Sequence, residues 1–287
     1  MSMGKRMWPA LALLAVGGTA QAEDEGYLSL GIGFDRSSGK YGGTTSIEST
    51  SIPVTVRYAR DDWSLKLTVP YLSVTGDGSV VINGIRSGSG GYMGGATGMR
   101  AGVGMGGPGG GGGGGGTSTT PTISSTRVTN SGLGDVSLFA SYSLWQNEAG
   151  DSGLDVAGRI KFGTAATTLG SGQNDYAVQA AVYTGFGDLT PSLMLGYEQL
   201  GSSSTVQLGG AAYASLDLDY ALSDSASVGM GYWYAQAASA TGYAQRELSL
   251  YAASDLGESL TLRGYVLHGY SYGSPDSGLG LSVTSSF

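Results

Sequence analysis

The chain has 287 residues, among them 53 glycines and 18 tyrosines, and it contains no cysteine. With 22 acidic and 14 basic residues its formal net charge is −8, so nucleic acid is not an expected partner. The absence of cysteine excludes disulfides and thiolate metal sites. Low charge with abundant glycine and tyrosine is unusual for a soluble α/β enzyme but typical of a β-barrel, in which apolar outward and polar inward residues balance.

The first predicted element is a secretory signal peptide over residues 1–22. Lys5 and Arg6 give it a positive start, residues 11–16 are apolar, and residues 20–22 form a small-x-small cleavage site. The apolar stretch is shorter than the about 20 residues that a membrane-spanning helix needs. We therefore expect export across the inner membrane and cleavage; an uncleaved inner-membrane anchor is the alternative.

The remainder, residues 23–287, is predicted to form twelve β-strands, because its apolar residues recur with a period of two. The predicted strands are 27–35, 47–58, 63–74, 134–145, 154–162, 175–186, 189–199, 206–221, 226–236, 245–254, 260–270 and 278–287. Short connections alternate with longer ones, as in barrels whose termini both lie in the periplasm. We predict an all-β fold, a transmembrane antiparallel up-and-down barrel of about twelve strands. A soluble β-sandwich is the alternative, since it also needs one apolar face per strand.

Aromatic residues near the predicted strand ends favour the membrane barrel over the sandwich. They are Trp63, Tyr71, Trp145, Phe186, Tyr197, Tyr220 and Tyr270. Such rings are typical of the girdles at the two membrane interfaces.

A long Gly-rich insertion, residues 75–133, separates the third and fourth predicted strands and is expected on the extracellular side. Its centre, residues 106–116, is polyglycine interrupted by Pro108. No Gly-Lys-Ser/Thr ending follows, so it is not a phosphate-binding loop. Three roles are open: a lid or plug in the barrel mouth, a variable surface tether, or a surface for a receptor or for adhesion.

Charged and polar residues opposite the apolar faces are expected in the lumen, where water or a partner makes charge tolerable. They are Arg57, Lys66, Asp135, Asp155, Arg159, Lys161, Asp175, Glu198, Asp217, Asp219, Arg246, Glu247, Tyr251 and Arg263. As the lining that sets selectivity we predict Arg57, Lys66, Arg159, Lys161, Asp175, Asp217, Asp219 and Arg263. Positive and negative walls could orient a polar solute. Alternatively, the same charges could form a salt-bridge network that fills a narrow barrel.

No catalytic residue, metal site or cofactor is predicted. The competing class is a lipase in a twelve-stranded outer-membrane barrel, which uses a Ser-His pair. The single histidine, His268, lies in the segment His268-Gly269-Tyr270-Ser271, which lacks the His-x-Ser spacing of that family. A nucleophilic serine also needs a base within hydrogen-bond reach. His268 is therefore interpreted as a polar residue near the membrane interface.

The last predicted strand resembles the closing strand of Gram-negative outer-membrane β-barrels. Leu279, Leu281, Val283 and Phe287 share one face, and the strand ends on the aromatic residue. In that family the terminal aromatic residue is read by the barrel assembly machinery. The resemblance implies that Phe287 is an assembly signal and that the assembly machinery and outer-membrane lipid are partners.

Three segments resemble motifs of barrels in the MetA pathway of phenol degradation family. They are Gly132-Leu133-Gly134-Asp135-Val136, the stretch from Gly158 to Thr164, and Leu169-Gly170-Ser171-Gly172-Gln173-Asn174-Asp175-Tyr176. Gly163 replaces the family's proline, and Ala165 stands where a glycine is usual. The resemblance implies an outer-membrane barrel for uptake of small, often hydrophobic or aromatic compounds.

From these patterns we predict an outer-membrane channel or facilitator for passive uptake of small solutes in a Gram-negative bacterium. The alternative is a non-conducting structural or surface-interaction barrel that uses the Gly-rich loop. We expect no enzymatic activity in either case.

Overall fold

The computed structural model describes residues 26–77, 127–202, 207–240 and 242–287. The described chain is all-β. Its strands are β1 (Tyr27–Gly39), β2 (Ile47–Arg60), β3 (Trp63–Asp77), β4 (Arg127–Leu133), β5 (Val136–Gln146), β6 (Gly153–Phe162), β7 (Asp175–Tyr183), β8 (Leu189–Gln199), β9 (Gly210–Ser223), β10 (Ala226–Ala235), β11 (Gln245–Asp255), β12 (Leu260–Gly269) and β13 (Ser277–Ser286). No helix in these ranges is long and apolar enough to cross a membrane.

Twelve of the strands close into one antiparallel barrel, which confirms the predicted fold class. β1 pairs with β2 on one side and with β13 on the other, so the first and last strands complete the ring. The order around the ring is β1, β2, β3, β5 and then β6 to β13, each strand pairing with the next. Closure leaves none of these twelve strands at an open sheet edge. A sheet that spans a bilayer must close in this way, because unpaired backbone N–H and C=O groups are costly in the hydrocarbon core.

β4 is an additional strand that continues β5 beyond a break at Gly134 and Asp135. The first part of β3 pairs with β5, and its last part, from Tyr71 to Asp77, pairs with β4. In the sheet order β4 is terminal and has β3 as its single partner. The predicted loop 75–133 was therefore bounded too widely, because strand occupies both of its ends. The rest of that loop, 78–126, and the predicted signal peptide lie outside the described residues.

Most large apolar side chains of the barrel strands face outward, and most polar side chains face the lumen; Leu72, Tyr213 and Trp233 are among the apolar side chains that are buried inside. On β1, Leu28, Ile32 and Phe34 are each 41% exposed, whereas Ser29 is 4% exposed and Asp35 is 7% exposed. The same alternation runs around the barrel. Exposed large apolar side chains occur on all twelve strands of the ring. Soluble monomers rarely expose apolar surface all the way round, whereas a transmembrane barrel presents an apolar band to lipid. The predicted girdle aromatics are all exposed, between 37% for Trp63 and 66% for Phe186.

The two ends of the barrel differ in their connections. At one end, here called the short-turn end, β2–β3, β5–β6, β7–β8, β9–β10 and β11–β12 are joined by tight turns, as predicted. Asp61, Gly150, Gly187 and Gly257 take positive φ angles there, which sharp turns require. The other end, the long-loop end, carries the remaining connections. The shortest barrel strand, β7, has nine residues, enough to cross a bilayer when tilted.

Candidate functional site

The structure places all eight predicted lumen residues on the inward face of the barrel. Asp217 is 1% exposed, Asp175 3% and Lys66 4%, and Arg57 and Arg159 are also buried. Lys161, Asp219 and Arg263 are half-buried. The wider prediction contained one error: Arg246 is exposed, whereas its neighbour Glu247 is 1% exposed. Adjacent residues of a strand point to opposite faces, so these two could not share the lumen.

Lys161 connects two carboxylates near the long-loop end. Its Nζ lies 3.0 Å from Asp135 and 2.7 Å from Asp175. The Asp135 and Asp175 side chains are 10% and 4% exposed, so the group is largely desolvated. Each acid also accepts a backbone N–H, Asp135 from Ala165 and Asp175 from Gly201. This cluster, the Lys161 triad, therefore ties two loops to the barrel wall.

The Lys161 triad brings together one residue from each of the three motif segments identified in the sequence. Asp135 lies in the break between β4 and β5, Lys161 is on β6, and Asp175 is the first residue of β7. The motif residues around them also bond to one another: Gly163 N donates to Asn174 Oδ1, and Val136 N donates to Thr164 Oγ1. In this chain the motifs act together to hold the β6–β7 loop.

The β6–β7 loop, residues 163–174, packs against the inner wall of the barrel. Its Ala165 and Leu169 are buried and contact Ile47, Leu72 and Val74, inward-facing residues of β2 and β3. These strands lie two and three places from β6 in the ring. The loop therefore leans inward at the long-loop end, where it narrows the lumen.

Gly163, which stands where the related motif has proline, lies against the backbone of the same loop. A Cβ at Gly163 would overlap the carbonyl carbon of Gly172. Glycine in place of the motif's proline thus lets the backbone at Gly163 lie closer to the backbone at Gly172 than any residue with a Cβ would permit.

A row of cationic side chains crosses β2, β3 and β6. Arg57 pairs in register with Lys66, Lys66 with Phe139, and Phe139 with Arg159. The Lys66 ammonium lies 5.1 Å from the centre of the Phe139 ring. Arg57 donates a 2.7 Å hydrogen bond to the Tyr27 hydroxyl and lies over its ring. We call Arg57, Lys66 and Arg159 the cationic row.

One member of the cationic row is ion-paired across β7. Arg159 Nη2 lies 3.0 Å from Glu198 Oε2, and both side chains are 7% exposed. Arg159 Nε is buried without a hydrogen-bond partner among the described residues. A buried ion pair of this kind is costly to break, because the remaining charge stays desolvated.

An aromatic cluster lines the lumen on the far side, on β9 to β12. Tyr213 and Trp233 are stacked with ring centres 5.1 Å apart and are 7% and 8% exposed. Tyr251 is buried in the same cluster, and Tyr265 packs against it. The sequence analysis did not single out this cluster as a whole. The alternation that placed Asp217 inside places Tyr213 inside too, so the signal was present in the sequence.

Two acids and a guanidinium adjoin the aromatic cluster. Tyr251 donates a hydrogen bond to Asp219, and the Arg263 guanidinium lies 4.6 Å from the Tyr251 ring centre. Ser215 donates a 2.8 Å hydrogen bond to Asp217. The tyrosine hydroxyls thus fix carboxylates in the lumen, and Tyr265 does the same for Asp35 at 2.7 Å.

The single histidine of the chain lies outside the lumen. His268 faces outward and forms an edge-to-face contact with Tyr270, ring centres 4.8 Å apart. Within the described ranges no group of three or more histidine, cysteine or acidic residues could hold a metal ion.

The Tyr251 ring packs directly against Gly229, so we expect a larger residue at position 229 to destabilise the barrel. A Cβ at Gly229 would overlap the buried Tyr251 ring. We expect Gly229→Ala to lower the free energy of unfolding by about 1–3 kcal/mol, the usual cost of overpacking. Urea titration of the barrel in lipid vesicles measures it. Gly264→Ala is the control, since the atom nearest to a Cβ there would be Leu281 Cδ1 at 3.6 Å, an ordinary van der Waals contact. Equal losses in both variants would contradict the prediction.

Comparison with known proteins finds similarity in fold but not in sequence family. No protein-family model and no curated protein matches the chain. An outer-membrane channel from Pseudomonas putida F1 superposes with a TM-score of 0.66 at 14% identity, covering 94% of this chain and 99% of that one. The NanC porin gives 0.51 at 8% identity, with 90% and 98% covered, and the KdgM porin 0.50 at 10%, with 90% and 99% covered. At these identities the likeness establishes the architecture, that of outer-membrane β-barrels.

Proposed function

We propose that this protein is an outer-membrane channel that lets small solutes cross passively through the lumen of its barrel. The observation that carries the proposal is the sorting of residues in a closed ring: exposed large apolar side chains occur on all twelve strands of the ring, and the buried charged side chains face inward. A closed barrel with a polar interior offers water-soluble compounds a route across the hydrocarbon core. The matching architecture of an outer-membrane channel and two porins supports it.

The assignment to the phenol-degradation family, with uptake of hydrophobic or aromatic compounds, is the finer form of this proposal. Its support is the meeting of the three motif segments in the Lys161 triad, since residues that interact are expected to occur together in a family. Location in a Gram-negative outer membrane, export by residues 1–22 and assembly through Phe287 belong to the same proposal.

The second candidate function is a non-conducting barrel, and the burial of the lumen charges favours it. Arg159, Lys161 and Asp175 are engaged in ion pairs, and the β6–β7 loop leans into the mouth. A lumen filled in this way would support a surface role for the Gly-rich loop rather than transport. The two functions differ in whether ions cross.

Single-channel recording in a planar bilayer separates the two functions. We expect the refolded full-length barrel to give current steps, smaller than those of open sixteen-stranded porins because paired side chains occupy the lumen. A variant without residues 87–120 of the Gly-rich loop is recorded alongside. Steps in that variant alone would make the loop a plug. Silence in both would contradict the channel and leave the surface-interaction barrel.

A further inference from the structure

We propose that the channel prefers cationic solutes, and that a ring of carboxylates around its short-turn mouth sets this preference. We call this ring the acidic rim. The inference rests on the proposed channel function and adds to it the charge of the solute. Solutes of this class are small inorganic or organic cations.

The acidic rim consists of exposed acids that occur on every tight turn of the short-turn end. They are Asp61, Asp62, Glu148, Asp151, Asp188, Asp224 and Glu258. None of the five turns contains a lysine or an arginine. The one basic residue directly beside a turn, Arg60, is paired with Asp61. The charge of this end is therefore strongly negative.

The acidic rim surrounds the mouth rather than lying on one side of it. Each turn joins two neighbouring strands of the ring, so the five turns border ten of the twelve strands. The remaining pair is β1 and β13, where the described chain begins and ends. Charges of one sign around an opening with low-dielectric walls raise the local concentration of counter-ions. Rings of Asp and Glu select cations in channels for this reason.

Asp155 continues the acidic character from the rim into the lumen. It is the third residue of β6, about 7 Å along the strand from its first residue, and it follows the turn that carries Glu148 and Asp151. It is 2% exposed, and neither of its carboxylate oxygens has a hydrogen-bond partner of good geometry in the described part of the chain. A cation that enters the lumen past the rim would stabilise this carboxylate.

Acids also outnumber bases along the whole lumen of the described residues. The inward-facing acids are Asp35, Asp135, Asp155, Asp175, Glu198, Asp217, Asp219 and Glu247. The inward-facing bases are Arg57, Lys66, Arg159, Lys161 and Arg263. Ion pairs join Lys161 to two of the acids and Arg159 to a third. The cationic row therefore does not reverse the sign of the lumen as a whole.

The long-loop end lacks a corresponding ring. In the described residues of its connections, the charged side chains are Lys40 and Asp276, one of each sign. The negative charge is thus concentrated at one mouth of the barrel. This asymmetry places the charge filter at the short-turn mouth.

The reversal potential of the refolded barrel in a planar bilayer under a KCl gradient tests the preference. We expect K⁺ to pass at least about threefold more readily than Cl⁻ near 0.1 M salt, where a Debye length of about 10 Å lets the rim act across the mouth. Near 1 M salt, with a Debye length of about 3 Å, this ratio should fall at least about twofold. A ratio that does not fall with salt would contradict a filter made of exposed charges.

A fivefold variant identifies the rim as the cause. It replaces one acid on each turn by its amide: Asp62→Asn, Glu148→Gln, Asp188→Asn, Asp224→Asn and Glu258→Gln. Asp61 and Asp151 are kept, because their carboxylates pair with Arg60 and accept a hydrogen bond from Asn147. We expect the ratio of K⁺ to Cl⁻ permeability near 0.1 M salt to fall at least about twofold.

The matched control exchanges Asp and Glu at the same five positions. Asp62→Glu, Glu148→Asp, Asp188→Glu, Asp224→Glu and Glu258→Asp keep every charge of the rim, so the permeability ratio should stay that of the unsubstituted barrel. An equal fall in both variants would show that the shape of the turns, not their charge, sets the ratio, and would overturn the rim. Should the amide variant not fold, the salt dependence of the unsubstituted barrel decides the question.

The outcomes separate the acidic rim from the channel. Current that favours Cl⁻, or a ratio that the amide variant leaves unchanged, would overturn the rim while the channel stands. If the full-length barrel is silent and the variant without residues 87–120 conducts, the same ratios are measured in that background. Silence of both would contradict the channel and the cation preference with it.

Discussion

Replacing Lys161 by methionine is expected to lower the free energy of unfolding by about 3–5 kcal/mol, or to prevent assembly of the barrel. Methionine keeps most of the side-chain volume but leaves Asp135 and Asp175 as buried, unpaired acids. Breaking a buried ion pair from one side costs this much, because the remaining charge stays desolvated. Urea titration in lipid vesicles measures the loss, and limited proteolysis of the β6–β7 loop reports whether its attachment is broken.

Two further variants control the Lys161 prediction. Lys40→Met removes the same charge at an exposed position next to β1, at the same end of the barrel, and should change stability by at most about 0.5 kcal/mol. The triple variant Asp135→Asn, Lys161→Met, Asp175→Asn removes all three charges and keeps oxygen acceptors for the N–H groups of Ala165 and Gly201. It should recover much of the loss. A single variant as stable as the Lys40 control would show that the Lys161 triad does not stabilise the fold.

Placing a charge on the outward belt is expected to have the second large effect. Leu216, near the middle of β9, is 54% exposed and would be a harmless site for arginine in a soluble protein. Facing lipid, Leu216→Arg should instead cost about 2–4 kcal/mol, because a guanidinium near the bilayer midplane is poorly solvated. Equilibrium folding into lipid vesicles over a urea gradient gives the difference from the unsubstituted barrel.

Leu222→Arg is the matched control for the lipid-facing prediction. Leu222 is on the same strand and is 60% exposed, but it lies at the short-turn end, where arginine can reach the interface. Its expected cost is about 0–1 kcal/mol. Equal costs at the two positions would mean that the outward belt does not sit in a bilayer with β9 crossing it.

Local periodicity accounts for how closely the predicted strands match the barrel. All twelve predicted strands correspond to single strands of the structure within a few residues, as β8 over Leu189–Gln199 illustrates. β4 has no predicted counterpart, because residues 127–133 were assigned to the Gly-rich loop. Period-2 alternation by itself does not mark where a strand begins or ends. β9 is an example: it was predicted to begin at residue 206 and begins at Gly210.

Neighbours across a tight turn were accessible to sequence reasoning, and partners across several strands were not. Arg57 and Lys66 face each other because the turn at residues 61–62 sets their register. The pairing of Arg159 with Glu198 depends also on the reach of two long side chains across β7. The packing of the β6–β7 loop against Leu72 depends on the conformation of the folded loop, which alternation along strands does not specify.

The sequence by itself determined the fold class, the strand positions and which side chains face lipid, because these follow from short-range alternation and from turn residues. Only the tertiary structure decided which inward side chains meet: Lys161 with its two acids, and Tyr213 with Trp233. The physical reason is that closure of the ring and the register of each strand pair set distances between residues far apart in the chain. Alternation specifies a face, whereas a binding site needs those distances.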